Sequence, residues 1–172
     1  KGRARMLPPP VIHSSKLLCF AENDEDVVFT DKISIYVSSE SGELVRLAEM
    51  PNLAICQPYN EVSEIFLFFC NENWEPEGTA AYSSVEEAKK HAERGYSGIH
   101  SKWVNSVYSQ TEIDDFLRTD YEVDPASRWW EMVCSFCNKA ESEDLTIFQT
   151  PQASICSKCV TGFYSSLKEQ NT

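Results

Sequence analysis

The chain has 172 residues, 42% of them apolar, and carries 15 Lys and Arg against 27 Asp and Glu for a formal net charge of −12. That composition excludes a collagen-like, low-complexity or wholly disordered chain, and the length fits one domain or one domain with a small appendage. The longest uninterrupted apolar run, Ile65 to Cys70, is six residues, far short of the roughly 20 that a membrane span needs.

Charge is unevenly placed. Residues 1–20 hold Lys1, Arg3, Arg5 and Lys16 and no acid, whereas the remaining 152 residues hold 11 bases and 27 acids. A body this acidic repels phosphate backbones, which argues against general affinity for nucleic acid. It favours basic protein partners, or serves solubility alone. Residues 1–15 read as a flexible basic tail, with Met6 a candidate native start. Pro8-Pro9-Pro10 stands where the apolar stretch of an export signal would sit, so none is expected.

Residues 16–125 read as an α+β domain, a small antiparallel sheet with one or two helices. Leu17 to Ala21 and Val27 to Thr30 flank the acidic run Glu22-Asn23-Asp24-Glu25-Asp26 and are expected to form a hairpin. Ile33, Ile35 and Val37 alternate with polar neighbours, the period of a half-buried strand. Ser41-Gly42 turns the chain, and Leu44 to Leu47 pairs back. Ile65 to Cys70 reads as a central strand buried on both faces. Asn71 to Gly78 is a long loop, and Thr79 to Tyr82 returns as its partner.

Ser84, with Glu87 three residues on, fits a capping box. Val85, Ala88 and Ala92 mark the inward stripe of the helix that follows, and Gly95 ends it. Ile99 to Val104 is expected to be another strand. Thr111 caps a shorter helix from Glu112 to Arg118 with Ile113, Phe116 and Leu117 inward. Tyr121 to Ser127, broken at Asp124-Pro125, is the linker to a final domain spanning residues 126–172.

Seven cysteines fall into two groups. Cys19, Cys56 and Cys70 are scattered among apolar neighbours and read as buried strand positions. An odd number of cysteines argues against a disulfide framework and for a reducing, cytoplasmic setting. The other four stand as Cys134-Ser135-Phe136-Cys137 and Cys156-Ser157-Lys158-Cys159, separated by 18 residues. This is the spacing of a four-cysteine zinc ribbon. Two intervening residues let each pair of sulfurs turn toward one ion, and a hairpin between the pairs brings them into a tetrahedral shell. Leu145 to Phe148 and Ala153 to Ile155 supply its strands, and Thr150-Pro151-Gln152 its turn. Four thiolates close the shell, so the reading expects one structural Zn2+. Such a small region draws its stability from the metal. Iron is the rival ion in the same geometry. Asn138 and Val160 stand where rubredoxin-type knuckles place glycine, which favours zinc.

Cys134-Ser135-Phe136-Cys137-Asn138-Lys139, the apolar stretch at Leu145 to Ile147, and Ile155-Cys156-Ser157-Lys158-Cys159-Val160 resemble the zinc-binding domain of the ClpX unfoldase. The likeness covers residues 131–167. Asn138 departs from it, standing where the family usually has glycine. The resemblance implies a domain that dimerises and docks substrates or adaptors, with no chemistry of its own. No G-x-x-x-x-G-K-[ST] run is present, so the family's ATPase activity is not implied.

No catalytic motif emerges. His13, His91 and His100 have no metalloprotease spacing, and neither G-x-S-x-G nor a dinucleotide glycine pattern occurs. An enzyme would need His100 to meet Cys70 or a carboxylate in space. Trp129, Trp130 and Phe136 are the candidate partner contacts, since aromatic residues dominate binding hot spots. In an extended segment, one of the two adjacent tryptophans would face away from the other. The leading expectation is a non-enzymatic protein whose zinc ribbon pairs with a second copy or docks a protein partner. The alternative is an acidic antagonist, of immunity or nucleic-acid-mimic type, that occupies a basic cleft.

Overall fold

A computed structural model of the chain describes residues 6–30, 32–38, 41–127, 129–131, 133–137, 139, 142, 144–149 and 154–170. The strands are β1 (Val11–Ile12), β2 (Ser15–Glu22), β3 (Val28–Phe29), β4 (Tyr36–Ser38), β5 (Leu44–Arg46), β6 (Asn52–Pro58), β7 (Ile65–Cys70) and β8 (Pro76–Tyr82). Helix α1 (Val85–Gly95), β9 (Tyr96–Ser97), a 3-10 turn at Ile99–Ser101, β10 (Val104–Asn105) and α2 (Gln110–Asp120) follow. Then come β11 (Ile147–Gln149), β12 (Ser154–Cys156) and α3 (Ser157–Gln170). The chain divides into two compact units, Lys1–Glu122 and Val123–Thr172. The architecture is α+β with antiparallel sheets, as the sequence pattern requires. No helix among the described residues is long and apolar enough to cross a membrane.

The first unit is built on a six-stranded antiparallel sheet in the order β1-β2-β6-β7-β8, with β10 also paired to β2. Its central strands bury both faces. Leu53, Ile55, Leu67 and Phe69 point to one side with Ala88 and Ala92 of α1. Ala54, Cys56, Phe68 and Cys70 point to the other with Ile12, Leu17, Phe20 and Trp74. Side chains alternate along a strand, so Leu17 and Cys19 should share a face. A bulge between them, where Leu17 faces Cys56 and Cys19 faces Ile55, sends them to opposite cores. Cys19, Cys56 and Cys70 are all buried strand residues.

The two-sided core explains why residues 6–15 are no tail. Pro8, Val11 and Ile12 are buried, Trp74 Nε1 donates to the Met6 carbonyl at 2.8 Å, and the Tyr108 hydroxyl donates to the Pro8 carbonyl at 2.8 Å. The segment covers an apolar sheet face that water would otherwise meet, and its prolines reduce the entropy lost in ordering it.

Other expectations change for local reasons. β2 is already paired with β6 and β10, so the segment after the acidic turn pairs instead with β9, Val28 opposite Ser97 and Phe29 opposite Tyr96. The turn itself is tied by Lys102, whose Nζ lies 2.8 Å from Asp24 and 3.1 Å from Asp26. Residues 99–104 are not one strand. Gly98 takes a left-handed φ of 98°, and the Glu93 carboxylate accepts the N–H groups of Gly98 and His100 at 2.9 Å, winding the chain into the 3-10 turn. The β4–β5 hairpin forms as expected, Val37 opposite Val45.

The loop after β7 is shorter than the sequence suggested, because β8 starts at Pro76 and residues 71–75 close on themselves through the Asn71 N–H to Glu75 carbonyl bond at 2.9 Å. Ser84 caps α1 by accepting the Glu87 N–H at 3.1 Å, but the Glu87 carboxylate returns to Ser83 instead of Ser84. α2 starts earlier than expected. Ser109 is its cap, in a full capping box with Glu112.

Candidate metal centre

Among the described residues of the second unit, Cys134, Leu145, Ile147 and Cys156 form a hydrophobic core, with Ile155 and Cys159 partly buried against it. The β11–β12 pairing sets Ile147 opposite Cys156 and Phe148 opposite Ile155. The expected turn at Thr150-Pro151-Gln152 lies outside the described residues. The second cysteine pair stands where the hairpin ends and a helix begins. Cys156 ends β12, and Ser157 begins α3, a 14-residue helix that the sequence reading did not include. Its signal was present in Val160, Phe163, Tyr164 and Leu167, which recur at helical spacing.

Each sulfur is aimed by backbone. Cys156 holds the position before the first helical residue, and its Sγ accepts the Cys159 N–H at 3.4 Å, as a capping oxygen would. The positive end of the helix adds to the stabilisation of thiolates there. The Cys156 N–H reaches Cys134 Sγ at 3.3 Å. The first pair is fixed to the hairpin by serines: the Ser135 N–H donates to the Ser154 carbonyl at 2.9 Å, and the Ser154 N–H donates to Ser135 Oγ at 3.1 Å. The Ser157 N–H donates to the Thr146 carbonyl at 2.9 Å, which seats the start of α3 on the hairpin.

The four sulfurs lie within 4.8 Å of one another, with Cys137 Sγ and Cys156 Sγ 3.7 Å apart. A tetrahedral ion with sulfur at ~2.3 Å spaces its ligands by ~3.8 Å, so the donors fit Zn2+. Among the described residues, these form the group of three or more Cys, His, Asp or Glu side chains gathered closely enough to share an ion. Burial opposes ionisation of Cys134, yet the N–H groups of Cys137, Cys156 and Phe136 outweigh it and bring its thiol down to about 6. Cys159 is pushed up to about 12, first by its hydrogen bond to Cys156 and then by burial. A thiolate at Cys134 adds to what makes Cys159 harder to ionise, and a dication relieves that repulsion. All four thiolates are consumed as ligands, so the chemistry is structural.

The remaining cysteines differ in kind. Burial raises the Cys19 thiol, raises Cys70 to about 12 and raises Cys56 well above its ordinary value, so they stay neutral inside the sheet. His100 is exposed and lies 3.2 Å from the Glu93 carboxylate. Cys70 is fully buried on the sheet face opposite the one that takes Ile99, the residue before His100, so His100 does not meet Cys70, and the carboxylate it meets is that of Glu93. Trp129 and Trp130 lie in a turn, not in an extended segment, and their rings meet edge to face at 5.8 Å instead of facing apart. Phe136, between the first two cysteines, is 60% exposed.

No curated protein matches the chain, and no solved structure does. Residues 132–169 match the family model of the ClpX C4-type zinc finger, the same segment that brings four sulfurs together to suit one structural Zn2+.

Proposed function

We propose that the chain is a non-enzymatic protein-docking module, and that its zinc finger self-associates through α3 and Phe136. The observation that carries this is the exposure of α3. Val160, Phe163, Tyr164 and Leu167 form a stripe 41–59% exposed, and Phe136 adds to it through an edge-to-face contact with Phe163 at 5.2 Å. Residues 161–168 are exposed on every side of the helix. Thr161, Gly162, Ser165 and Ser166 are poor helix formers. A helix of this length is marginal alone in water, and a second copy laid along the stripe supplies the burial it lacks. The likeness to the ClpX zinc domain, which mediates dimerisation, supports the same reading.

Light scattering on the full zinc-loaded chain tests it. A concentration-dependent dimer that Phe163→Ser and Leu167→Ser abolish, with one zinc per chain retained, is the expected result. A monomer at all concentrations refutes self-association.

A second reading has its own observation. Glu22 and Cys70 both pair with Asn52, so the loops holding Asp24, Glu25, Asp26, Glu49, Glu72 and Glu75 gather at one end of the sheet. That end suits a basic protein surface, and binding there would weaken steeply with salt.

A further inference from the structure

The four cysteines of the finger are unequal in a way that a purely structural site does not require. Cys134 and Cys156 are fully buried and Cys159 is half-buried, but Cys137 is exposed. Cys134 and Cys156 are also held by backbone N–H groups, which draw electron density from sulfur: Cys134 by those of Cys156, Cys137 and Phe136, Cys156 by that of Cys159. Reactivity at sulfur follows thiolate character and access. Bound to zinc, all four sulfurs would share thiolate character, so access decides: Cys137 is the exposed one, and Cys156 Sγ lies 3.7 Å away as a resolving thiol. The three cysteines of the first unit are neutral and buried, so they offer no competing target.

We infer that Cys137 is an oxidative modification site through which a peroxide opens the finger. The Cys137 thiolate attacks one peroxide oxygen; the O–O bond breaks, the sulfur loses two electrons to become a sulfenic acid, and hydroxide leaves. The Cys156 thiolate then attacks the Cys137 sulfur, the S–O bond breaks, and a second hydroxide leaves as the disulfide forms. Two thiolates and one peroxide thus give one disulfide and two hydroxides, which take up two protons as water. Cys134 and Cys159 alone cannot hold a tetrahedral ion. Losing Cys156 to the disulfide also removes the sulfur that caps α3, so the exposed stripe loses its anchor. This inference goes beyond the docking reading and does not depend on it.

The test treats the full zinc-loaded chain with hydrogen peroxide and follows released zinc with a chromophoric chelator, cysteine state by peptide mass mapping, and helix content by circular dichroism. The expected result is one zinc released per Cys137–Cys156 disulfide, with helix lost in step and both restored by thiol and zinc. Cys137→His keeps a ligand in the shell and removes the reactive sulfur. It should raise the peroxide concentration needed for half-release at least tenfold. If Cys137→His fails to bind zinc, the mapping of the unaltered chain decides. Oxidation beginning at Cys134, Cys156 or Cys159, or at the buried cysteines of the sheet, overturns the inference, as does zinc release from Cys137→His at the original peroxide concentration.

Discussion

Adding one methyl group to a helix should have opposite effects at two of this chain's glycines. At Gly95, the last residue of α1, an added Cβ would fall well inside van der Waals contact of Ile33 Cδ1 and Cγ1 and 3.5 Å from its Cβ. Ordinary carbon contacts lie at about 3.5–4.0 Å, so Ile33 must yield by about 1 Å or more. It is 6% exposed and packed in the same core as Val27 and Tyr96, so it has little room. Overpacking of this kind costs about 1–3 kcal/mol, and the better helix propensity of alanine returns at most about 1 kcal/mol. Gly95→Ala should therefore destabilise the sheet unit by about 1–2 kcal/mol, a fall of about 4–8 °C in melting temperature.

At Gly162 in α3 an added Cβ meets nothing within 4 Å. Gly162→Ala should stabilise the zinc-loaded helix by about 0.8–1.0 kcal/mol. Urea titration followed by circular dichroism measures both. A double-mutant cycle sharpens the first, because Ile33→Ala should cost less in the Gly95→Ala background than alone. Additive effects, or a stabilised Gly95→Ala, would refute the steric argument.

Chelating the metal should unfold α3 and the β11–β12 hairpin while the melting temperature of the sheet unit holds, since the core described for the finger is built on two of the metal's own ligands, Cys134 and Cys156; calorimetry with and without chelator separates the two. Ser109→Ala should cost about 1 kcal/mol through the lost cap of α2. The Glu112 carboxyl is held below 4.5 by its hydrogen bonds to Ser109, so the unfolded chain takes up that proton first. The stability it contributes is present above 4.5 and lost as pH falls through the lower folded value, and Ser109→Ala should flatten that acid limb in pH-dependent denaturation. Removing residues 1–10 should expose the face around Leu17, Phe20 and Trp74, read as increased binding of a hydrophobic dye and a lower denaturation midpoint.

Local chemistry made some elements legible and hid others. Ile65 to Cys70 was readable because six apolar residues in a row fit a strand covered on both sides, and β7 is that strand. The metal site was readable because two cysteine pairs need nothing beyond their spacing. β6 was harder, since Asn52 and Gln57 bound a run in which Ala54 adds little hydrophobic signal. The bulge at Leu18 depends on a partner far along the chain, β6, and the Gly98 turn depends on a carboxylate five residues back, Glu93, whose side-chain bond no periodicity reports. The proline-rich segment looked like a tail because much of the apolar face it covers, Ala54, Cys56, Phe68 and Cys70, belongs to strands more than forty residues away. Helix α3 was concealed by Thr161, Gly162, Ser165 and Ser166, whose weak propensity is overridden by the capping sulfur at its start.

In the proposed dimer, the apolar stripe of the metal-anchored helix α3 is covered by a second copy of the chain. Hydrogen exchange across residues 160–167, measured on the zinc-loaded protein over a range of concentrations, reads that directly. Protection should rise with concentration in the unaltered chain, stay flat in Phe163→Ser, and disappear in both once zinc is chelated. Exchange that is independent of concentration, or unchanged by removing the metal, would contradict it.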